Sequence, residues 1–129
     1  MVDTLGLMMM VVVTAANVSD KQGARLIFER LASFPQRIAR LVLIWVDRGY
    51  DGVEFSQWVM NTYRWVIETI KRSVSRKGFV LLPKRWVVER TWGWLNWCRR
   101  LSKDYEVLPE TSETFIYIAM TRLLLKRLA

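Results

Sequence analysis

The amino-acid sequence predicts an α/β domain in which short strands alternate with helices. Apolar residues make up 52% of the 129-residue chain, which is enough to build a core and too many for a disordered tail. Two runs rich in β-branched residues, 5–16 and 41–47, are each followed by a segment whose apolar residues have helical spacing. This alternation is typical of a layered domain with strands between helices, and residues 1–129 suit one such domain.

The first predicted elements are a strand and a helix. Residues 5–16, entered by a turn at Gly6, indicate a buried strand. Ser19 or Asp20 then caps a helix, and Pro35 ends that region. The apolar positions at helical spacing are Ala24, Leu26, Ile27, Leu31 and Phe34.

The N-terminal apolar run is not expected to direct export. The residues before it contain an acid, Asp3, and no base, which is the wrong charge for a signal peptide. The run is also shorter than the roughly 20 residues of a membrane-spanning helix. A cytoplasmic location is therefore expected.

The middle and C-terminal elements follow from the same patterns. A short strand at 41–47 stops at Asp47, and the pattern is helical from Lys84 to about Asp104. Ser112 and Glu113 begin the last helix. Between these elements the sequence predicts a turn at 48–52, a helix at 53–62, a strand at 64–70, a basic loop at 71–78 and an extended piece at 79–83.

The charge is unevenly distributed along the chain. Residues 1–70 carry seven basic and seven acidic side chains, whereas residues 71–129 carry thirteen basic and five acidic ones, which accounts for the net charge of +8. This asymmetry favours a polyanion partner, nucleic acid before acidic lipid. A basic surface that serves only solubility is the alternative.

The residue types limit the possible chemistry. The chain has no histidine and one cysteine, Cys98, which excludes an internal disulfide, a His/Cys zinc site and a catalytic Ser-His or Cys-His dyad. Carboxylates are then the candidates, with a hard cation such as Mg²⁺.

Two acids have positions that suggest chemistry. Asp47 ends an apolar strand at the mouth of an α/β sheet, where ligands and metals bind; capping of a helix or turn is the alternative role. At about 100° per residue, Glu89 lies on a polar face of the 84–105 helix. Ion pairing with Arg85, worth roughly 0.3–0.5 kcal/mol, is its alternative role. That predicted face holds Arg85, Glu89, Asn96, Arg100 and Lys103, opposite a core stripe of Val87, Trp94, Leu95, Cys98, Leu101 and Tyr105.

Three segments resemble consecutive blocks of DDE transposases from bacterial insertion sequences, in the insertion-sequence-five and related insertion-sequence-four groups. They are "VDTLGLMMMVVVTAANVSD", "VDRGYDG" and "LPKRWVVERTWGWLNWCRRLSKDYE". The similarity covers residues 2–128 in the same order and spacing. It implies an RNase-H-like catalytic core that uses three carboxylates and divalent metal to cut and join DNA.

The resemblance also implies roles for individual residues. Asp47 matches the family's second aspartate and Glu89 its glutamate, so both are expected to ligate Mg²⁺ or Mn²⁺ in the two-metal site of a complete protein. Arg85 matches the arginine four residues before the glutamate. The basic residues expected to hold phosphates of transposon ends are Arg85, Arg90, Arg99, Arg100 and Lys103.

One departure from the family pattern limits the expected activity. The family's first aspartate lies on the first strand of the core, upstream of the "VDTLG" hairpin, whereas this chain begins inside that hairpin. Asp3 aligns with the hairpin and not with the missing acid. We therefore expect the C-terminal portion of a catalytic domain, truncated before its first strand and inactive alone. Asn96 also replaces a residue that is basic in some relatives.

The sequence is compatible with several alternatives. The product of an upstream reading frame could supply the missing strand, with a homodimer acting on transposon ends and target DNA at the bacterial nucleoid. A non-catalytic DNA-binding regulator of transposition and the product of a decayed pseudogene also fit. A protein of the membrane surface is disfavoured, because the basic residues of the 84–105 helix border Glu89 and tryptophans rather than a lipid-facing stripe.

Overall fold

The computed structural model describes residues 1–70 and 83–128. The predicted basic loop 71–78 and residues 79–82 of the predicted extended piece lie outside the described residues. Short 3-10 turns cover Arg48–Tyr50 and Arg99–Leu101. The helices and strands are α1 (Asp20–Ala32), α2 (Pro35–Ile38), β1 (Leu43–Val46), α3 (Val53–Tyr63), β2 (Val66–Thr69), α4 (Pro83–Asn96) and α5 (Pro109–Leu128).

The chain divides into two compact units. The first unit consists of Met1–Asn17 together with Val87–Ala129, and the second unit is Val18–Trp86. The mixture of helices with a small sheet is consistent with the predicted α/β class.

The second unit contains a two-stranded parallel sheet. β1 pairs with β2 from Leu43 opposite Val66 to Val46 opposite Thr69, and α3 connects the strands. Parallel strands need a crossover of this kind, usually a helix. The predicted strands at 41–47 and 64–70 and the helix at 53–62 are therefore confirmed.

The core of the second unit is aromatic. Phe28 is 3% exposed, and its ring lies 6.1 Å from that of Phe55 and 5.6 Å from that of Trp65 between centroids. Helix α1, which carries Phe28, is capped by Ser19, one of the two predicted caps, and Ser19 forms a capping box with Gln22. The buried residues of α1 are Ala24, Phe28 and Leu31. Leu26 and Phe34, which are also among the apolar positions at helical spacing, are 41% and 43% exposed.

The predicted strand at 5–16 is wrong. Within residues 1–17 the only strand-like pairing is an isolated antiparallel bridge between Val2 and Met8. The backbone N–H of Val11 instead donates to the Tyr117 hydroxyl at 3.2 Å, and that of Val13 to Glu113 Oε1 at 3.0 Å. Side chains of α5 thus satisfy backbone groups that a neighbouring strand would otherwise pair.

The predicted helix from Lys84 to Asp104 is too long. Helix α4 ends at Asn96, and the N–H of Cys98 turns back to the carbonyl of Leu95 at 2.9 Å. Packing of Leu101 against the core of the first unit favours this break over continued helix. The buried core residues there are Val11, Leu95, Ile116 and Met120.

The helix end changes which residues share a face. Cys98, Leu101 and Tyr105 belong to no stripe on α4, and Arg100 and Lys103 do not follow Glu89 along it. The last helix, α5, begins at Pro109, three residues before the predicted Ser112.

Candidate active site and DNA-binding surface

Asp47 lies immediately after β1, at the carboxyl end of a parallel strand. Its exposed side chain accepts a hydrogen bond from the N–H of Gly49 at 3.0 Å and so caps the following 3-10 turn. A carboxylate offers about four lone-pair sites, and this hydrogen bond uses one of them. The two roles predicted for Asp47, capping and ligand binding, are therefore compatible.

A second carboxylate approaches the same turn. A Cβ atom placed on Gly49 would lie 2.8 Å from Asp20 Oδ2 and 3.3 Å from Asp47 Oδ1. Burial, and then the negative charges of Asp20 and Asp47, raise the pKa of the Tyr50 hydroxyl above its ordinary value of 10.0. The sequence had indicated Asp20 only as a cap of α1, and no spacing in it signals the approach to Gly49.

Glu89 lies on the exposed side of α4 in the first unit. Arg85, one turn earlier, and Asn96, two turns later, are exposed as well. Thr91 and Leu95 occupy the opposite side, where they are 2% and 4% exposed. The polar face predicted for Arg85, Glu89 and Asn96 therefore exists, although it ends with the helix.

Asp3, whose role the sequence left open, closes a turn in the first unit. Its Oδ1 accepts hydrogen bonds from the N–H groups of Leu5 at 2.9 Å and Leu7 at 2.8 Å. An aspartate that bonds to the backbone just after it is a common turn-forming device. We call residues 3–7 the N-terminal turn.

Arg90 contacts the N-terminal turn. Its Nη2 donates to the carbonyl oxygen of Leu5 at 2.8 Å, and the guanidinium lies over the Trp94 ring, 4.9 Å from the centroid. Part of the Arg90 guanidinium is therefore already bonded within the protein. A DNA contact by Arg90 stays a prediction.

The remaining predicted DNA-binding residues follow the end of α4. Arg99 and Lys103 are exposed. Arg100 pairs with Glu106, and its guanidinium lies 4.9 Å from the centroid of the Phe115 ring. Arg99 and Lys103 thus have exposed side chains, while Arg100 is partly held by its neighbours, and DNA contacts by these three residues stay predictions.

A cavity of 440 Å³ lies beside these residues in the first unit. Its lining includes Trp92 and Phe115 together with the polar side chains of Asn96, Arg100 and Lys103. Trp92 is 59% exposed, so an aromatic surface borders two cations here. Aromatic and basic groups in this combination suit nucleic acid.

The two predicted metal ligands lie in different units, Asp47 in the second and Glu89 in the first. In residues 1–70 and 83–128 there is no group of three or more Asp, Glu, His or Cys side chains able to hold a metal ion. The chemistry of each donor does fit a hard cation, because Mg²⁺ prefers carboxylate oxygens.

Across the described ranges, none of the helices combines the length and the hydropathy needed to cross a membrane.

The comparisons with known proteins identify the family. No curated protein and no solved structure matches the chain. The family model described as "Transposase DDE domain" matches residues 44–126, more than half of the chain, and this range contains both Asp47 and Glu89. Members of that family move DNA segments and generally use divalent metal ions. The chain belongs to the transposase DDE domain family.

Proposed function

We propose that this chain is the C-terminal portion of the catalytic domain of an insertion-sequence transposase, from the insertion-sequence-five or insertion-sequence-four groups. In this proposal the complete core is RNase-H-like, and Asp47 and Glu89 are two of its three metal-binding carboxylates. The third comes from a polypeptide segment outside this chain, such as the product of an upstream reading frame. The chain alone therefore binds DNA without cleaving it.

The observation that carries the proposal is the placement of the two acids. Asp47 is exposed at the carboxyl end of a parallel strand, and Glu89 is exposed on a helix that comes later in the chain. Both lie within the range that matches the transposase DDE domain. Mg²⁺ or Mn²⁺ held by such carboxylates would activate a water or 3′-hydroxyl and stabilise the leaving oxygen.

The proposed DNA partners are the transposon ends and the target, in the cytoplasm at the nucleoid. Arg85, Arg99 and Lys103 are exposed in the part of the chain that carries the net charge of +8. Each phosphate contact releases counterions, so binding should weaken strongly as salt rises. The last part of the proposal is that the protein acts as a homodimer on paired transposon ends.

The test is strand cleavage of DNA carrying the insertion-sequence ends, by this chain mixed with a polypeptide that includes the upstream segment. We expect Asp47→Asn and Glu89→Gln each to lower cleavage by more than roughly 100-fold, because loss of even an outer-shell group costs up to that much. DNA affinity should be kept. Glu54→Gln and Glu110→Gln, exposed acids in the same two units, are the matched controls.

A second candidate function rests on the charge asymmetry alone. A non-catalytic fragment that regulates transposition by occupying DNA ends needs the basic half and no metal ligand. In that case the Glu89→Gln chain would bind DNA as well as the wild type or slightly better, and no upstream polypeptide would restore cleavage to either. Cleavage that survives in Glu89→Gln would contradict the main proposal.

A further inference from the structure

The N-terminal turn presents two carbonyl groups to helix α4. Besides the bonds to the Asp3 carboxylate, the N–H of Asp3 donates to the Leu7 carbonyl at 2.9 Å, and the N–H of Gly6 donates to the Asp3 carbonyl at 3.0 Å. Gly6 has φ +81°, a conformation that glycine adopts readily. The turn is therefore tightly constrained, and the carbonyls of Leu5 and Gly6 accept hydrogen bonds from α4.

Two consecutive residues of α4 bind these carbonyls. Arg90 Nη2 donates to Leu5, and Thr91 Oγ1 donates to the Gly6 carbonyl at 2.7 Å. Thr91 is 2% exposed, so this hydrogen bond is shielded from water. A Cβ atom on Gly6 would lie 2.9 Å from Thr91 Oγ1, which shows how closely the turn and the helix approach.

The Arg90 side chain is partly buried as well as bonded. Its Nε is buried and makes no hydrogen bond to the residues that the structure describes. The guanidinium lies over Trp94, and the guanidinium of Arg127 lies 4.4 Å from the same ring centroid. Moving Arg90 outward to a phosphate would break these contacts, so the geometry favours a role inside the protein.

These contacts determine how α4 is rotated about its axis. Successive helical residues point about 100° apart, so anchoring Arg90 and Thr91 fixes the direction of the Glu89 side chain. With side chains, a helix has a radius of about 5–6 Å, so a rotation of about 20° moves a carboxylate by about 2 Å. Mg²⁺ binds oxygen at about 2.0–2.1 Å with little tolerance. A shift of that size would therefore remove a ligand.

We propose that Arg90 and Thr91 are positioning residues for Glu89, acting by anchoring α4 to the N-terminal turn. This inference rests on the proposed role of Glu89 as a metal ligand. In this inference the main role of Arg90 is to position Glu89 and not to contact a phosphate. Asp3 contributes indirectly, because its carboxylate shapes the turn that Arg90 and Thr91 bind.

The experiment follows the ¹³C resonances of the glutamate side chains in the full 129-residue chain, mixed with the unlabelled polypeptide that includes the upstream segment, while Mn²⁺ is added. Glu89→Gln assigns the Glu89 signal. We expect Arg90→Lys and Thr91→Val to raise the Mn²⁺ concentration that half-broadens it by roughly 10-fold. Thr91→Ser, which keeps the hydroxyl, should retain the wild-type value, and Arg122→Lys, an exposed control on α5, should not change it. Spectra are taken below the unfolding transition of every variant.

The possible outcomes separate this inference from the proposed function. A wild-type Glu89 signal that Mn²⁺ does not broaden would overturn the metal-ligand role and this inference together. Normal broadening in the wild type with unchanged midpoints in Arg90→Lys and Thr91→Val would overturn the positioning role alone, even if both variants melt earlier. In parallel, DNA binding is measured at several salt concentrations on a short duplex. A salt slope that falls by about 0.9 in Arg90→Gln, as expected for Arg99→Gln, would show a phosphate contact by Arg90 and overturn the inference.

Discussion

The Glu113 carboxylate accepts a hydrogen bond from the backbone N–H of Val13 at 3.0 Å, across a sequence separation of 100 residues. Glu113 is 8% exposed, so the bond is largely shielded from solvent. It holds the N-terminal segment against α5 where the sequence predicted a strand. A side chain of α5 thus accepts a backbone hydrogen bond that a neighbouring strand would accept in a sheet.

Removing this carboxylate should destabilise the protein. Glu113→Ala leaves the Val13 N–H without its acceptor, which costs about 1–3 kcal/mol in the free energy of unfolding. Glu110→Ala, an exposed position one turn earlier on α5, is the control and should change it by less than about 0.5 kcal/mol. Urea unfolding measures both, and equal effects would contradict the importance of the Val13 bond.

Gly6 should not tolerate a side chain. Gly6→Ala forces an unfavourable backbone conformation at φ +81° and places a methyl group 2.9 Å from Thr91 Oγ1, so we expect a loss of about 1–3 kcal/mol in unfolding free energy. Gly93→Ala is the matched control, because a Cβ atom there meets no atom within 4 Å on a helix. That variant should be more stable by about 0.4–1 kcal/mol. If thermal unfolding shows no loss of stability in Gly6→Ala, the close approach of the N-terminal turn to α4 is refuted.

Stability should depend on pH through the amino group of Met1. Burial lowers the pKa of this group from 8.0 to about 6, and the group donates to the Met10 carbonyl at 2.7 Å. Because the folded-state pKa is below the unfolded one, the unfolded chain binds more protons between these values, and stability rises with pH from about 6 to 8. The full change is on the order of 2–3 kcal/mol.

Urea unfolding at pH 5.5, 7 and 8.5 checks this prediction. The chain has no histidine, which removes the usual group that titrates in this range. N-terminal acetylation abolishes the titration, so the acetylated chain should show a flat profile between pH 6 and 8. The same slope in both chains would assign the effect to another group.

DNA binding should weaken uniformly when exposed cations of the first unit are removed. Arg99→Gln and Lys103→Gln should each lower the slope of log K against log salt by about 0.9, whatever the DNA sequence. Arg40→Gln, an exposed arginine in the half of the chain without net charge, is the control. Fluorescence anisotropy with two unrelated duplexes measures the slopes. A change confined to one duplex would indicate base readout instead.

Local patterns were sufficient where an element is stabilised by its own residues. The N-cap at Ser19, one of the two predicted, the β-branched run ending at Asp47 and the amphipathic segment of α3 each appear where the sequence predicts them. Hydrogen bonds within a helix and a short loop between neighbouring elements involve residues close in sequence, so their signals are readable there.

The sequence predictions are wrong where residues distant in sequence determine the backbone conformation. Residues 5–16 have strand-like composition, yet Tyr117 and Glu113 of α5 bond their N–H groups. Helical spacing continues past Asn96, yet packing of Leu101 and the pairing of Arg100 with Glu106 end α4 there. The local composition of residues 5–16 or of α4 cannot indicate these contacts, because the contacting residues lie elsewhere in the chain.

By itself, the sequence determined the family, the chemistry of the candidate ligands and the basic character of residues 71–129, since these depend on which residues are present and in what order. Only the tertiary structure decided what the individual side chains bind. Asp3 bonds to its own turn, Arg90 and Thr91 anchor that turn to α4, and Asp20 approaches Gly49. The physical reason is that hydrogen bonds and charges act over a few ångströms, and folding alone brings residues 85 positions apart within that distance.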